Sequence, residues 1–145
     1  MAETVIEQLT EATPEAAEQI GALLPQLTPR GQGIDALRLQ RVLEMPGAVY
    51  VARSGEVIVG MVQRVDVAHV VRTKCWIEDF VVDESSRGQG IATRLLEAAI
   101  AGAPEEAASV NLTSKEARAD SHRLYAKLGF ALRAEATLWR LNLKG

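Results

Sequence analysis

The sequence predicts a mixed α/β fold of the α+β type, with three layers and a central, mostly antiparallel sheet flanked by about four helices. Three observations lead there. Residues 48–82 read as three strand-like apolar runs joined by short turns, the pattern of an antiparallel meander. An amphipathic helix pattern at 90–101 then separates the last of those strands from another at 110–113, and such a crossover implies a parallel pair. Ahead of the meander, a single strand precedes two helix patterns.

Taken in order, residues 4–9 form the first strand, in which Val5, Ile6 and Leu9 supply the apolar positions. Thr13 stands as N-cap before Pro14 at the first helical position, opening a helix to about residue 24. Ile20, Leu23, Leu24 and Leu27 give it one apolar stripe. A loop over 25–33 leads to a short helix marked by Ile34, Leu37, Val42 and Leu43, which Pro46 and Gly47 end. The meander strands are 48–53, 57–67 and 70–82, with Ser54 and Gly55 turning the first into the second. In the crossover helix Ile91, Leu95 and Ala98 share a face. The last helix covers 115–128; Gly129 sits where a left-handed residue ends a helix, and Phe130 is the apolar contact that follows. Residues 132–143 close the order as a final strand, and no long repeat, low-complexity tract or linker interrupts it.

At 145 residues and 48% hydrophobic composition, the chain is read as one domain, 1–145, able to bury about two-thirds of its unfolded surface. A net charge of −3 argues against a nucleic-acid partner, whose binding face would be basic. One cysteine excludes an internal disulfide, and Cys75, His69 and His122 are too few and too scattered for a metal set, so no metal is expected. Cys75 itself reads as a small core residue kept reduced, not a nucleophile. No charged-then-apolar leader opens the chain and no run approaches the roughly 18 apolar residues of a membrane span. The expectation is a soluble, cytoplasmic protein with no membrane partner.

The stretch from Ile77 to Thr93 carries the chemistry. An apolar strand runs into Arg87-Gly88-Gln89-Gly90, which opens the amphipathic helix. Backbone N–H groups at a helix start lack intrahelical partners and sit at the positive end of the helix dipole, so they attract anions. Gly88 and Gly90 allow a tight turn and close approach of the main chain, while Arg87 and Thr93 add a charge and a hydroxyl. The turn is neither a P-loop, which needs Gly-Lys-Ser/Thr, nor a dinucleotide fingerprint, which needs glycine where Thr93 stands. Arg30-Gly31-Gln32-Gly33 repeats the same four letters, but it follows Thr28-Pro29 instead of a strand and reads as a loop.

Arg87-x-x-Gly90-x-Ala92 is similar to the Arg/Gln-x-x-Gly-x-Gly/Ala signature of the GNAT superfamily of N-acetyltransferases, and Ser121 to Phe130 resembles its second hallmark, a helix with a tyrosine four residues before Gly-Phe. The element order also resembles that family's. The resemblance implies a GNAT-like three-layer fold and a transferase that moves an acetyl group from acetyl-CoA to a primary amine of a small molecule or peptide, by direct attack in a ternary complex. It leaves room for a homodimer. The alternative is a catalytically silent acyl-CoA-binding sensor or partner-binding module.

Site residues follow from the same resemblance. Coenzyme A would meet the backbone of Phe80, Val81 and Val82 through its pantetheine arm and Arg87, Gly88, Gln89, Gly90, Ile91, Ala92 and Thr93 through its pyrophosphate; Ser121 and Tyr125 would approach it from the last helix. Tyr125 corresponds to the tyrosine that donates a proton to the departing sulfur. A phenol near pKa 10 facing a thiol near 8.5 makes full transfer uphill by about 2 kcal/mol, so a hydrogen bond to the thiolate is the other reading, and a core tyrosine against Phe130 is a third. An amine with a lysine-like pKa is neutral only about once in two to three thousand molecules at pH 7, which costs roughly 4–5 kcal/mol. Glu78 is the candidate base that offsets it, with Asp79 or a water chain as alternatives. Arg118 stands where many relatives carry asparagine, leaving its cofactor contact open.

Overall fold

Four antiparallel strands form the body of the sheet: β1 (Thr4–Leu9), β2 (Gly47–Ser54), β3 (Val57–Ala68) and β4 (Thr73–Val82) lie side by side in chain order. β5 (Ala107–Asn111) adds to the far edge of β4 in parallel, a pairing made through the crossover helix α3 (Ile91–Ala101). The computed structural model describes residues 3–114, 119–133 and 136–144. Two compact units are present, Met1–Thr113 and Ser114–Gly145.

In the first unit, α1 (Pro14–Leu27) and α2 (Ala36–Leu43) cover one face of the sheet. Their starts are capped as the side-chain chemistry requires: Thr13 Oγ1 accepts from Ala16 N–H at 3.1 Å and Asp35 Oδ1 from Arg38 N–H at 2.8 Å. α1 runs past its expected end and through Pro25, since Thr28 N–H still reaches Leu24 O at 3.0 Å and closes the last turn. Ala16, Ala17, Ile20 and Leu23 pack with Leu39, Val49, Val51, Met61 and Val81. Each fully buried Leu, Ile, Val or Met side chain contributes roughly 1.5–3 kcal/mol. α3 lies on the opposite face, because Gly60 alternates with Met61 and a Cβ there would stand 3.1 Å from Leu95 Cδ1. Ile91, Leu95, Leu96 and Ala99 are buried beneath it.

A buried ion pair fastens the far end of α3. Arg64, 4% exposed, donates Nε to Asp66 Oδ1 at 2.8 Å and Nη2 to Asp66 Oδ2 at 3.1 Å, while Nη1 reaches Ala99 O at 2.9 Å. The fork is bidentate, and its third bond sets a cation at the negative end of the helix. Burial pushes the Asp66 carboxyl upward, but the bonds from Arg64 and Cys75 and the Arg64 charge together outweigh it and hold the group below its ordinary range. Cys75, paired with Asp66 across the strands, is fully buried; burial, then the Asp66 carboxylate, pushes its thiol up to about 11. It is a packed thiol, not a nucleophile.

Among the strands, the larger differences from the sequence pattern are at β4, β5 and the C-terminal stretch. β4 starts at Thr73, not residue 70, because Val70 and Val71 sit exposed in a turn closed by His69 N–H on Arg72 O at 3.0 Å. β5 keeps residues 110 and 111 of the expected 110–113 but starts earlier, at Ala107, where Thr73 to Trp76 supply its parallel partners. Of the final strand expected at 132–143, residues 134 and 135 lie outside the described residues; the described ones carry no strand pairing, and Leu132, Leu138, Trp139, Leu141 and Leu143 are exposed. Their alternation defines a face, whereas a strand also needs a neighbour to take its N–H and C=O groups. No helix among the described residues is long and apolar enough to cross a membrane.

Candidate active site

β4 ends in a turn whose geometry leaves backbone donors open. The Asp83 carboxylate accepts from Ser85 N–H at 3.2 Å and from Ser85 Oγ, shaping a single 3-10 turn over Glu84–Ser86. The bond from Ser85, then that from Gln26, holds the Asp83 carboxyl below its ordinary range. Arg87 folds back so that Nε donates to Val82 O at 3.1 Å. Gly88 and Gly90 then take left-handed conformations, φ +80° and +76°, and a Cβ at either would meet nothing within 4 Å. Glycine is needed there for the path of the main chain, and the space in front stays clear.

Gly90 is the N-cap of α3 and offers no side-chain cap, so the N–H groups of Ile91, Ala92 and Thr93 have no partner from within the helix. A hollow of about 230 Å³ lies before them, walled by Val82, Ser86, Arg87 and Gly88 and floored by residues 90–93. Of the expected phosphate contacts, Arg87, Gly88, Gly90, Ile91, Ala92 and Thr93 come together here; Gln89, in the same turn, does not line the hollow. Uncapped amides, a guanidinium and open space fit a pyrophosphate.

Just upstream, β4 departs from regular pairing twice. Glu78 pairs with Gln63 and Val81 with Met61, so Asp79 and Phe80 together stand opposite Val62: a β-bulge, with Asp79 left-handed at φ +46°. The bulge breaks the alternation expected of Glu78 and Asp79, and both are exposed. It also sets Glu78 on the face shared by Met61 and Val81, which is the α1 and α2 side. Partial burial against the sheet, and then the Asp79 charge, pushes the Glu78 carboxyl above its ordinary value. The second departure concerns β5, whose pairing with β4 ends at Trp76 and Asn111. Asn111 Nδ2 marks the parting by bonding Cys75 O at 3.1 Å and Ser109 Oγ at 2.9 Å. Beyond it, Phe80, Val81 and Val82 have no strand on that edge among the described residues.

The second unit holds Ser121 and Tyr125 on α4 (Ala119–Lys127). The expected start of this helix at 115–118, Arg118 included, lies outside the described residues. Its end is as expected: Phe130 N–H bonds Tyr125 O at 2.9 Å, Gly129 N–H bonds Ala126 O at 3.1 Å, and Gly129 takes φ +94°. That Schellman geometry turns Phe130 back onto Tyr125, whose ring it meets edge-on at 6.0 Å. Tyr125 is half-buried, one turn from the half-buried Ser121.

A search of curated proteins found no match. Solved structures are similar over almost the whole chain. An aminoglycoside acetyltransferase from an uncultured soil metagenomic sample, solved with sisomicin, is 19% identical with a TM-score of 0.82, each chain being covered to 97%. An acetyltransferase of Trypanosoma brucei is 25% identical with a TM-score of 0.78, covering 97% of this chain and 100% of that one. An aminoglycoside N-acetyltransferase, AAC(6′)-Iy, solved in complex with CoA, is 19% identical with a TM-score of 0.80, covering 97% of this chain and 96% of that one. The model of the acetyltransferase (GNAT) family matches residues 9–130, and the chain belongs to that family of acetyltransferases.

Proposed function

We propose that residues 1–145 act as one cytoplasmic N-acetyltransferase domain that moves the acetyl group of acetyl-CoA to a primary amine of a small molecule or peptide, by direct attack in a ternary complex. One observation carries the reading: the uncapped start of α3 lies one short turn beyond the end of β4, whose far edge carries no strand among the described residues past Trp76. An anion cradle over 87–93 and a strip of edge backbone at Phe80, Val81 and Val82, whose last carbonyl Arg87 Nε takes, thus lie either side of one short turn. The cradle suits the pyrophosphate of CoA, and the strip at Phe80, Val81 and Val82 suits amides that pair as an added strand would. A structural relative in complex with CoA and others described as aminoglycoside acetyltransferases support this cosubstrate and a small-molecule acceptor.

Gly90→Val tests the cradle. A β-branched residue at φ +76° is strained, and its side chain enters the space the phosphate would fill. Calorimetric titration should show CoA binding weakened at least tenfold, the scale of losing one or two charge-assisted bonds. Wild-type affinity in a folded Gly90→Val protein would remove the cradle.

In the reaction, Glu78 takes the ammonium proton directly or through water, a backbone N–H near the bulge polarises the thioester carbonyl, and Tyr125 meets the charge that develops on sulfur. The raised Glu78 pKa sets the acid limb of the rate profile above the ordinary 4.5. Glu78→Gln should lower kcat/KM by roughly 10²-fold and remove that limb. Stability moves the other way. The folded chain holds the Glu78 proton more tightly than the unfolded chain, so the stability it contributes is full below pH 4.5 and lost as pH rises through the folded value. At pH 7 the glutamine variant should therefore be no less stable than wild type. Retention of the wild-type rate and profile would move the role to Asp79 or to water.

A further inference from the structure

We propose that Gln26, in the last turn of α1, is a positioning residue for the cofactor cradle, its amide clamping the turn from which the α3 amides are presented. This rests on the reading that the start of α3 holds the CoA pyrophosphate. The clamp spans 57 and 58 positions of sequence: Gln26 Nε2 donates to Asp83 Oδ1 at 2.7 Å, and Gln26 Oε1 accepts from Glu84 N–H at 2.8 Å. The Asp83 carboxylate is thereby divided. One oxygen faces α1, and the other takes Ser85 N–H and Oγ and shapes the 3-10 turn.

Arg87 ties itself to Val82 O at 3.1 Å, but the glycines of the cradle cannot hold its path still without a further clamp. Gly88 and Gly90 have no side chains to pack, so the course of residues 87–90 is set by its two ends, α3 on one and the 83–86 turn on the other. Asp83 N–H on Val59 O, at 2.7 Å, ties that turn to β3; Gln26 ties it to α1. Release of one tie spreads the amides over more conformations, and a ligand must then spend binding free energy to gather them. Gln26 is exposed, so its bonds add little to global stability while fixing a local path.

A reciprocal exchange tests it. Gln26→Glu sets a carboxylate against Asp83 Oδ1, and Asp83→Asn sets an amide donor against the Gln26 donor; each single change breaks the bond. In the double variant Gln26→Glu/Asp83→Asn, the introduced carboxylate accepts from the introduced amide and still from Glu84 N–H, while the retained oxygen at 83 still serves Ser85. Calorimetric titration of CoA into the full chain should show each single variant weakened roughly tenfold, the scale of one charge-assisted hydrogen bond, and the double variant restored to near wild-type affinity. Thermal midpoints without CoA should stay close to wild type in all three. Single variants that bind CoA as tightly as wild type, a double variant as weak as the singles, or midpoints that fall while affinity holds would each overturn the positioning role. Absence of CoA binding to wild type would overturn the reading beneath it as well.

Discussion

Tyr125→Phe is expected to lower turnover by roughly 10²–10³-fold while leaving acetyl-CoA affinity and folding stability nearly unchanged. The change removes one oxygen and keeps the ring. The edge-on contact with Phe130 and the Schellman bonds at Gly129 and Phe130 involve only the ring and the backbone, so they survive. Under the proposed mechanism the change removes the donor assigned to sulfur, and sulfur gains its charge only as the thioester breaks; the penalty therefore falls on kcat. Single-turnover thiol release, read beside a thermal melt, checks both halves. An equal loss of stability would assign the hydroxyl to packing.

Arg64→Ala should produce the largest stability change, a loss of about 3–5 kcal/mol at pH 7. The alanine leaves Asp66, whose side chain is 10% exposed, desolvated and without its cation, and it frees Ala99 O at the end of α3. The pH dependence identifies the cause. With its folded pKa held below 3.8, Asp66 contributes stability that is present above pH 3.8 and lost as pH falls through the folded value. Without Arg64, burial is opposed only by the bond from Cys75, so the Asp66 pKa rises, the variant protonates this carboxyl more readily at mildly acid pH and its deficit shrinks there. Urea unfolding at pH 7 and near pH 4 reads the difference; a deficit that is the same at both would point to lost packing instead of the unpaired carboxylate.

The cradle was legible in the sequence because glycine carries a backbone requirement in its identity. Gly88 and Gly90 after an apolar strand and before an amphipathic pattern leave few other readings, and the structure places both at positive φ. The meander and the crossover were legible for a similar reason, since alternation and helical spacing report which face is buried. Arg64 was not. One arginine in the run 57–68 looks like a solvated strand residue; its burial rests on the fork with Asp66 and on Ala99 O, 35 positions away, which the sequence does not bring together. The bulge at Asp79 was equally hidden: aspartate tolerates the left-handed region without announcing it, so strict alternation assigned Glu78 and Asp79 to opposite faces. Val70 and Val71 misled in the other direction, as β-branched residues that sit in a turn. The alternation within 132–143 defines an apolar face but names no partner edge, and the described residues there carry no strand pairing.

The central claim is that CoA, seated at the start of α3, delivers its acetyl group to an amine. The most direct measurement is thiol release from acetyl-CoA by the full chain across amino acids, polyamines, aminoglycosides, aminophosphonates and peptide N-termini, with CoA binding followed calorimetrically on the same preparation. We expect CoA to bind and at least one amine to drive thiol release that Tyr125→Phe suppresses. Tight CoA binding with no thiol release by any amine would contradict the enzyme and leave an acyl-CoA sensor in its place.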